Sequence, residues 1–186
     1  MATALVPFSE GVEELEMISV VDLLRRAGVE VTTATLDGAP AKGRSGIVIQ
    51  PDAALDDVLH QDWDAVVLPG GLPNAFTLRD DPRIENLLRR QVAEGRVAAA
   101  ICAAPAALAR AGVLANKCAT SYPACREDVL REDATVKYLD EPVVVDGLVV
   151  TSRGPGTAIP FALALIRLLV GENRAEEVAR EIVYSA

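Results

Sequence analysis

Val97-Ala98-Ala99-Ala100-Ile101-Cys102-Ala103-Ala104-Pro105 reads as a buried strand, an abrupt turn and the opening of a helix. The run has no polar alternation, as a strand covered on both faces requires, and Pro105 suits a first helical turn, where its missing N–H costs nothing. Such a unit implies a parallel sheet with helices on both sides. Outward from it the pattern recurs. Ala4 to Phe8 is a strand, Glu13 to Ala27 a helix with Met17, Val20, Val21 and Leu24 at helical spacing and Gly28 as its stop, and Val29 to Thr35 a second strand. The Gly- and Pro-rich stretch from Asp37 to Gly46, followed by Ile47-Val48-Ile49, predicts a small hairpin excursion. Ala65 to Leu68 returns to the sheet, and Asp81-Pro82 caps a helix carrying Ile84, Leu87, Leu88 and Val92 that Gly95 ends. Val143 to Ser152, turning at Asp146-Gly147, predicts a hairpin feeding a helix from about Thr157 to Val170, with a last helix from Arg174 to near Val183. The order predicts one domain over residues 1–186: an α/β, flavodoxin-like (Rossmann-like), doubly wound and mainly parallel sheet.

Composition agrees with one compact domain: of 186 residues, 51% are hydrophobic and 24% charged, enough to bury a sizeable core. The 27 acidic against 18 basic side chains leave a net charge of −9, which repels nucleic-acid phosphates and anionic membranes and argues against both as partners. The most apolar stretch, Val97 to Ala109, is interrupted by Pro105 and stops at Arg110, shorter than the roughly 18 residues a bilayer span needs. Residues 1–8 show neither a basic segment nor a cleavage site, so a cytoplasmic location is expected. Cys102, Cys118 and Cys125 form no Cys-x-x-Cys pair, which predicts reduced thiols and no zinc site.

In such a sheet ligands bind outside the carboxyl ends of the strands. Glu13 to Glu16, Gly70-Gly71, Cys102 and the segment Ser152-Arg153-Gly154-Pro155-Gly156-Thr157 all follow strands and are expected to converge there. Cys102 lies at an elbow facing a helix N-terminus, a setting that favours a reactive thiolate of low pKa, although a cysteine after an apolar strand also serves as plain core. The acidic start of the first helix is favoured by the helix dipole alone. Periodicity sets both Glu13 and Glu16 beside apolar residues and does not choose between them; a buried, protonated carboxyl next to the thiol would donate a hydrogen bond and shuttle a proton. Gly70 and Gly71 would let backbone N–H groups approach a substrate oxygen, or simply form a tight turn. The only histidine, His60, precedes a strand and belongs at the opposite edge, which leaves no Cys–His dyad. Cys118 and Cys125 are read as packing residues.

Together Glu13-Glu14-Leu15-Glu16, Leu68-Pro69-Gly70-Gly71, Ala99-Ala100-Ile101-Cys102-Ala103-Ala104-Pro105 and Thr151-Ser152-Arg153-Gly154-Pro155-Gly156-Thr157 resemble the ThiJ/PfpI superfamily, in order and over nearly the whole chain. The similarity is greatest to its branch of parkinsonism-linked deglycases and bacterial chaperones. The resemblance implies a flavodoxin-like homodimer without cofactor or metal, with Cys102 as nucleophile, Glu16 as the protonated carboxyl beside it, and Gly70, Gly71 and Ala103 forming an oxyanion or sulfinate site. It implies a small aldehyde or dicarbonyl substrate, with glyoxalase III-like conversion of methylglyoxal to lactate or deglycation of early adducts. The alternative it carries is a redox sensor or chaperone whose Cys102 oxidises to sulfinate without turnover. Tyr122 stands where the branch often has histidine; it is expected to line the pocket or bind substrate. Ala103 stands where the peptidase branch has histidine, which disfavours peptidase activity. Arg44 and Arg153 are candidates for the pocket or a subunit contact, although a solvated arginine is the commoner case.

Overall fold

The computed structural model describes residues 1–185. In chain order its elements are β1 (Thr3–Phe8), α1 (Glu14–Arg26), β2 (Glu30–Thr35), β3 (Ala41–Lys42), β4 (Val48–Ile49), β5 (Ala53–Ala54), α2 (Leu55–Val58), β6 (Ala65–Leu68), α3 (Asn74–Asp80) and α4 (Pro82–Ala93). They continue with β7 (Val97–Ile101), α5 (Pro105–Arg110), β8 (Cys118–Ala119), α6 (Arg126–Glu132), β9 (Lys137–Tyr138), β10 (Val143–Asp146), β11 (Val149–Ser152), α7 (Ala158–Leu169) and α8 (Glu172–Glu181). Seven strands form the central sheet in the order β10-β11-β7-β6-β1-β2-β5, and only the β10–β11 pair is antiparallel.

The chain winds from β1 outward through β2 to β5, then returns to lay β6 on the other side of β1. The order therefore reverses between β1 and β6, and this is where a doubly wound sheet opens a crevice. β6 and β7 are buried along their whole length, and their side chains alternate between two cores. Ala65, Val67, Val97, Ala99 and Ile101 pack with α1, α7 and α8 on one face. Val66, Leu68, Ala98 and Ala100 pack with α3, α4 and α5 on the other. Two-sided burial is why these strands read as unbroken apolar runs.

The helix starts follow local chemistry. Asp81 caps α4 by accepting from the Arg83 N–H at 2.9 Å, with Pro82 at the first helical position. The expected helices are present with small shifts at their ends; the last one starts at Glu172 rather than Arg174. The expected hairpin excursion is the β3–β4 pair. Helix α3 was not expected, because its residues Asn74 to Asp80 show no clear apolar stripe. Among the described residues no helix is long and apolar enough to cross a membrane.

Burial ranks the cost of substitutions. Leu88 in α4 has no exposed surface, whereas Leu168 in α7 is 39% exposed. Leu88→Ala is expected to cost about 3 kcal/mol, and Leu168→Ala less than about 1 kcal/mol, read as shifts in the urea midpoint.

Candidate active site

The loops after β1, β6, β7 and β11 meet at the carboxyl edge, as their order requires. Register aligns the strand ends: Leu68 pairs with Ala100, and Ser152 with Ile101. Backbone hydrogen bonds then tie one loop to the next. The Glu13 N–H donates to the Gly70 carbonyl at 3.0 Å, the Cys102 N–H to the Ser152 carbonyl at 3.0 Å and the Tyr122 N–H to the Cys102 carbonyl at 2.8 Å. Asn74 adds a brace that no sequence pattern marks. Fully buried, it donates to the carbonyls of Pro69 and Gly70, both at 2.9 Å, while its Oδ1 accepts from the Ser9 N–H at 2.7 Å.

Cys102 sits where β7 turns toward α5, with φ of +66°. A left-handed backbone is costly for a residue with a Cβ, and the bend lifts the side chain out of the sheet. Strain of this kind concentrates at functional positions. The Glu16 carboxyl and the N–H groups of Gly71 and Ala103 all lie close enough to the sulfur to act on its ionisation.

Glu16, on the inner face of α1, has no exposed surface. Its Oε2 accepts from the Gly70 N–H at 2.8 Å, and its Oε1 is buried without a hydrogen bond. Burial raises its pKa to about 7, against the smaller opposing effects of the Gly70 N–H and the Cys102 thiol. The upward shift expected for a proton-shuttling carboxyl is therefore present, and it falls on Glu16. The two neighbouring acids do other work. Glu13 pairs with Arg44 at 3.1 Å, and Glu14 Oε1 accepts from the N–H groups of Ser45 at 2.8 Å and Ile47 at 3.3 Å, which pins the β3–β4 loop to α1.

The thiol corrects the expectation of a low pKa. Burial first, then the negative charge of Glu16, pushes Cys102 up to about 12, and the N–H groups of Gly71 and Ala103 oppose this only in part. α5 is six residues long, so its dipole is a weak counterweight. Above neutral pH the resting pair is thus a thiol beside a carboxylate.

A cavity of about 410 Å³ opens over the sulfur, lined by Arg44, Gly71, Leu72, Cys102, Ala103, Tyr122, Cys125 and Pro155. Its size suits a small ligand. Four expected residues are on its wall: Cys102, Gly71, Ala103 and Tyr122. Glu16 and Gly70 lie behind it. The Gly70 N–H donates to Glu16 Oε2 and is turned to the carboxyl. Glycine is needed there, because a Cβ would stand 2.5 Å from the Cys102 Cβ and 2.6 Å from Glu16 Oε2. Arg44, for which the sequence left both a solvated place and one near the pocket open, is on the wall: its backbone N–H donates to the Val12 carbonyl at 3.0 Å and its guanidinium pairs with Glu13. Its only sequence signal is its place in the Gly43-Arg44-Ser45-Gly46 loop. Arg153 pairs outward with Asp140 at 3.4 Å, away from the cavity. His60 lines a different hollow with Arg83, Asn86 and Arg90. Among the described residues no cluster of three His, Cys, Asp or Glu side chains could hold a metal.

Residues 2–168 match the DJ-1/PfpI family. Protein dj-1beta of Drosophila melanogaster is 42% identical over 182 residues, 97% of this chain and 96% of its own length. The glutathione-independent glyoxalase DJR-1.2 of Caenorhabditis elegans is 37% identical over 173 residues, 93% of this chain and 91% of its own. The crystal structure of Drosophila DJ-1beta superposes with a TM-score of 0.94 at 41% identity, covering 100% of this chain and 99% of that one. Oxidized Toxoplasma gondii DJ-1 superposes with a TM-score of 0.93 at 32% identity, covering 100% of both.

Glu16 also links pH to stability. Its carboxyl has a pKa of about 7 in the fold against 4.5 as the ordinary value, so between these pH values the folded state keeps a proton that the unfolded chain releases. Stability from this group is therefore full below about pH 4.5 and falls as pH rises to 7, by roughly 3 kcal/mol in all. Glu16→Gln is expected to flatten this decline and to be more stable than wild type at pH 8, measured by urea unfolding across pH 4.5–8. Equal slopes for the two proteins would contradict a buried, proton-holding Glu16.

Proposed function

Because the chain belongs to the DJ-1/PfpI family, we propose that it is a cofactor-independent cysteine enzyme that converts small reactive dicarbonyls, with methylglyoxal as the simplest substrate. The observation that carries this reading is the Cys102 sulfur, held at a strained elbow between the Glu16 carboxyl and two backbone N–H groups, at the floor of a cavity of about 410 Å³. The relative named as a glutathione-independent glyoxalase, similar over nearly its full length, supports the choice of substrate class.

The resting protonation state assigns the roles. Glu16, as carboxylate, takes the thiol proton while the sulfur adds to the aldehyde carbon, and the oxyanion so formed faces the N–H groups of Gly71 and Ala103. Glu16 returns the proton to that oxygen, giving a hemithioacetal. The former aldehyde carbon loses its proton and the adjacent carbon gains one, while the hemithioacetal hydroxyl gives up its proton and the ketone oxygen takes one, so the adduct becomes a lactoyl thioester. Water then releases lactate and restores the thiol. Early glycation adducts are hemithioacetals and hemiaminals, which revert to the free aldehyde and their thiol or amine, and the aldehyde so released would enter the same addition; this is the deglycase form of the chemistry. Arg44 and Tyr122 border the substrate, and Tyr122, 46% exposed, covers its outer side. Ala103 follows Cys102, and the only histidine is in another hollow, so the dyad a cysteine peptidase needs has no counterpart here.

A second reading keeps the same sulfur but ends at oxidation. The N–H groups of Gly71 and Ala103 suit a sulfinate as well as an oxyanion, and a solved relative is described as oxidized. Turnover separates the two. With methylglyoxal and no glutathione, wild type is expected to form lactate, Cys102→Ala none, and Glu16→Gln roughly a hundredfold less. Because the carboxylate is the working form, kcat/KM is expected to rise with pH through about 7. Lactate formation that survives Cys102→Ala, or a rate flat from pH 5.5 to 8.5, would remove this mechanism; stoichiometric peroxide uptake without lactate would favour the second reading.

The same proposal includes a cytoplasmic homodimer. Leu15 and Ile18 on α1 border one shallow hollow with Ile47, and each of the three is at least half exposed. Wild type is expected to sediment as a dimer and Ile18→Glu as a folded monomer; a monomeric wild type would refute the dimer.

A further inference from the structure

The cavity above Cys102 holds a second thiol. Cys125 lines it as well, is a free cysteine with 8% of its surface exposed, and takes no part in the chemistry proposed above. Two backbone hydrogen bonds tie the two cysteines through one residue: the Tyr122 N–H donates to the Cys102 carbonyl and the Cys125 N–H to the Tyr122 carbonyl, both at 2.8 Å. Cys102 is fixed by the sheet. Cys125 ends a short helical turn, Pro123–Cys125, and the preceding Tyr122, Pro123 and Ala124 are exposed. Cys118, by contrast, opens β8 and is not on the cavity wall.

We propose that Cys125 is a resolving thiol: once a hydroperoxide has oxidised Cys102 to the sulfenic acid, Cys125 closes a reversible Cys102–Cys125 disulfide across the cavity. This rests on the nucleophilic role of Cys102 given above. In the first step the Cys102 sulfur attacks the terminal oxygen of the hydroperoxide, an S–O bond forms, the O–O bond breaks and an alcohol (water, from hydrogen peroxide) leaves. In the second the Cys125 sulfur attacks the sulfenic sulfur, the S–S bond forms, the S–O bond breaks, and the hydroxyl leaves as water with the Cys125 proton. Two thiols and one hydroperoxide thus give one disulfide, one alcohol and one water. Closure needs the two Cα atoms within about 7 Å, and the exposed turn before Cys125 is the part free to adjust. Burial and Asp128 raise the Cys125 thiol, so it waits for an activated sulfur and does not compete for peroxide. The disulfide would fill the substrate cavity and stop oxidation before sulfinate, leaving an inactive but recoverable protein.

The test uses the full chain, reduced and then treated with one equivalent of hydrogen peroxide, followed by thiol blocking and non-reducing peptide mapping by mass spectrometry. Wild type is expected to lose two hydrogen atoms, to yield a linked Cys102–Cys125 peptide and to revert with dithiothreitol, and Cys118→Ser to behave the same way. Cys125→Ser and Cys125→Ala, each checked for native circular dichroism, are expected to accumulate several-fold more Cys102 sulfinate. Equal sulfinate in wild type and both variants with no linked peptide, or a link to Cys118, would overturn the resolving role while leaving the Cys102 nucleophile in place. An unmodified Cys102 thiol would overturn both.

Discussion

The carboxyl of Glu16 is an acid with no access to water, and the site is arranged around that cost. A buried carboxylate is tolerated only with donors close by, and the fold supplies one strong donor, the Gly70 N–H to Oε2, leaving Oε1 buried without a hydrogen bond. The deficit is what brings the pKa to about 7, where the group can give or take a proton under ordinary conditions. A second donor on Oε1 would stabilise the fold and remove the chemistry. The same constraint dictates residue 70, since a side chain there would part the carboxyl from the thiol.

Topology explains how an acid from α1 reaches a sulfur that follows β7. The sheet order places β6 between β1 and β7, so the Pro69-Gly70-Gly71 turn lies between the other two loops. Gly70 addresses Glu16 and Gly71 addresses Cys102, so two successive peptide groups serve two functional atoms. Gly71 has φ of +88°, and a Cβ there would overlap the backbone of Gly11 and Glu13. Asn74 holds the same turn from behind through the carbonyls of Pro69 and Gly70. The peptide orientation is thus fixed on both sides, which is how a rigid backbone acts as preorganised polarity.

The long strands and helices were legible because hydrophobic period follows directly from which face is buried, and the carboxyl-edge rule then collected Glu16, Gly70, Gly71 and Cys102. What escaped was set by tertiary placement. Arg44 looks like any solvated arginine until the β3–β4 loop is pinned by Glu14 and brought over the cavity. Asn74 heads a helix with no stripe to announce it, and its value lies in the loops it bridges. Cys125 passes for a packing residue until it is seen on the same wall as Cys102. The thiol pKa escapes the sequence for a related reason: a helix N-terminus is visible there, but the depth of burial and the charge of a neighbour from α1 are not, and these prevail over a six-residue helix.

That reversal changes how the pair works. A thiolate stabilised in advance would be a standing nucleophile open to any oxidant, and lowering a thiol's pKa also lowers its intrinsic nucleophilicity. A thiol held high, beside a carboxylate of pKa about 7, becomes nucleophilic only as its proton moves onto Glu16. The acceptor of that proton is then protonated and adjacent when the carbonyl oxygen needs it. In the proposed reaction the charge therefore travels from carboxylate to substrate oxygen and back without entering water. Arg44 lines the same cavity and is paired with Glu13 at 3.1 Å, so the cation nearest the proposed reaction already has an acid partner.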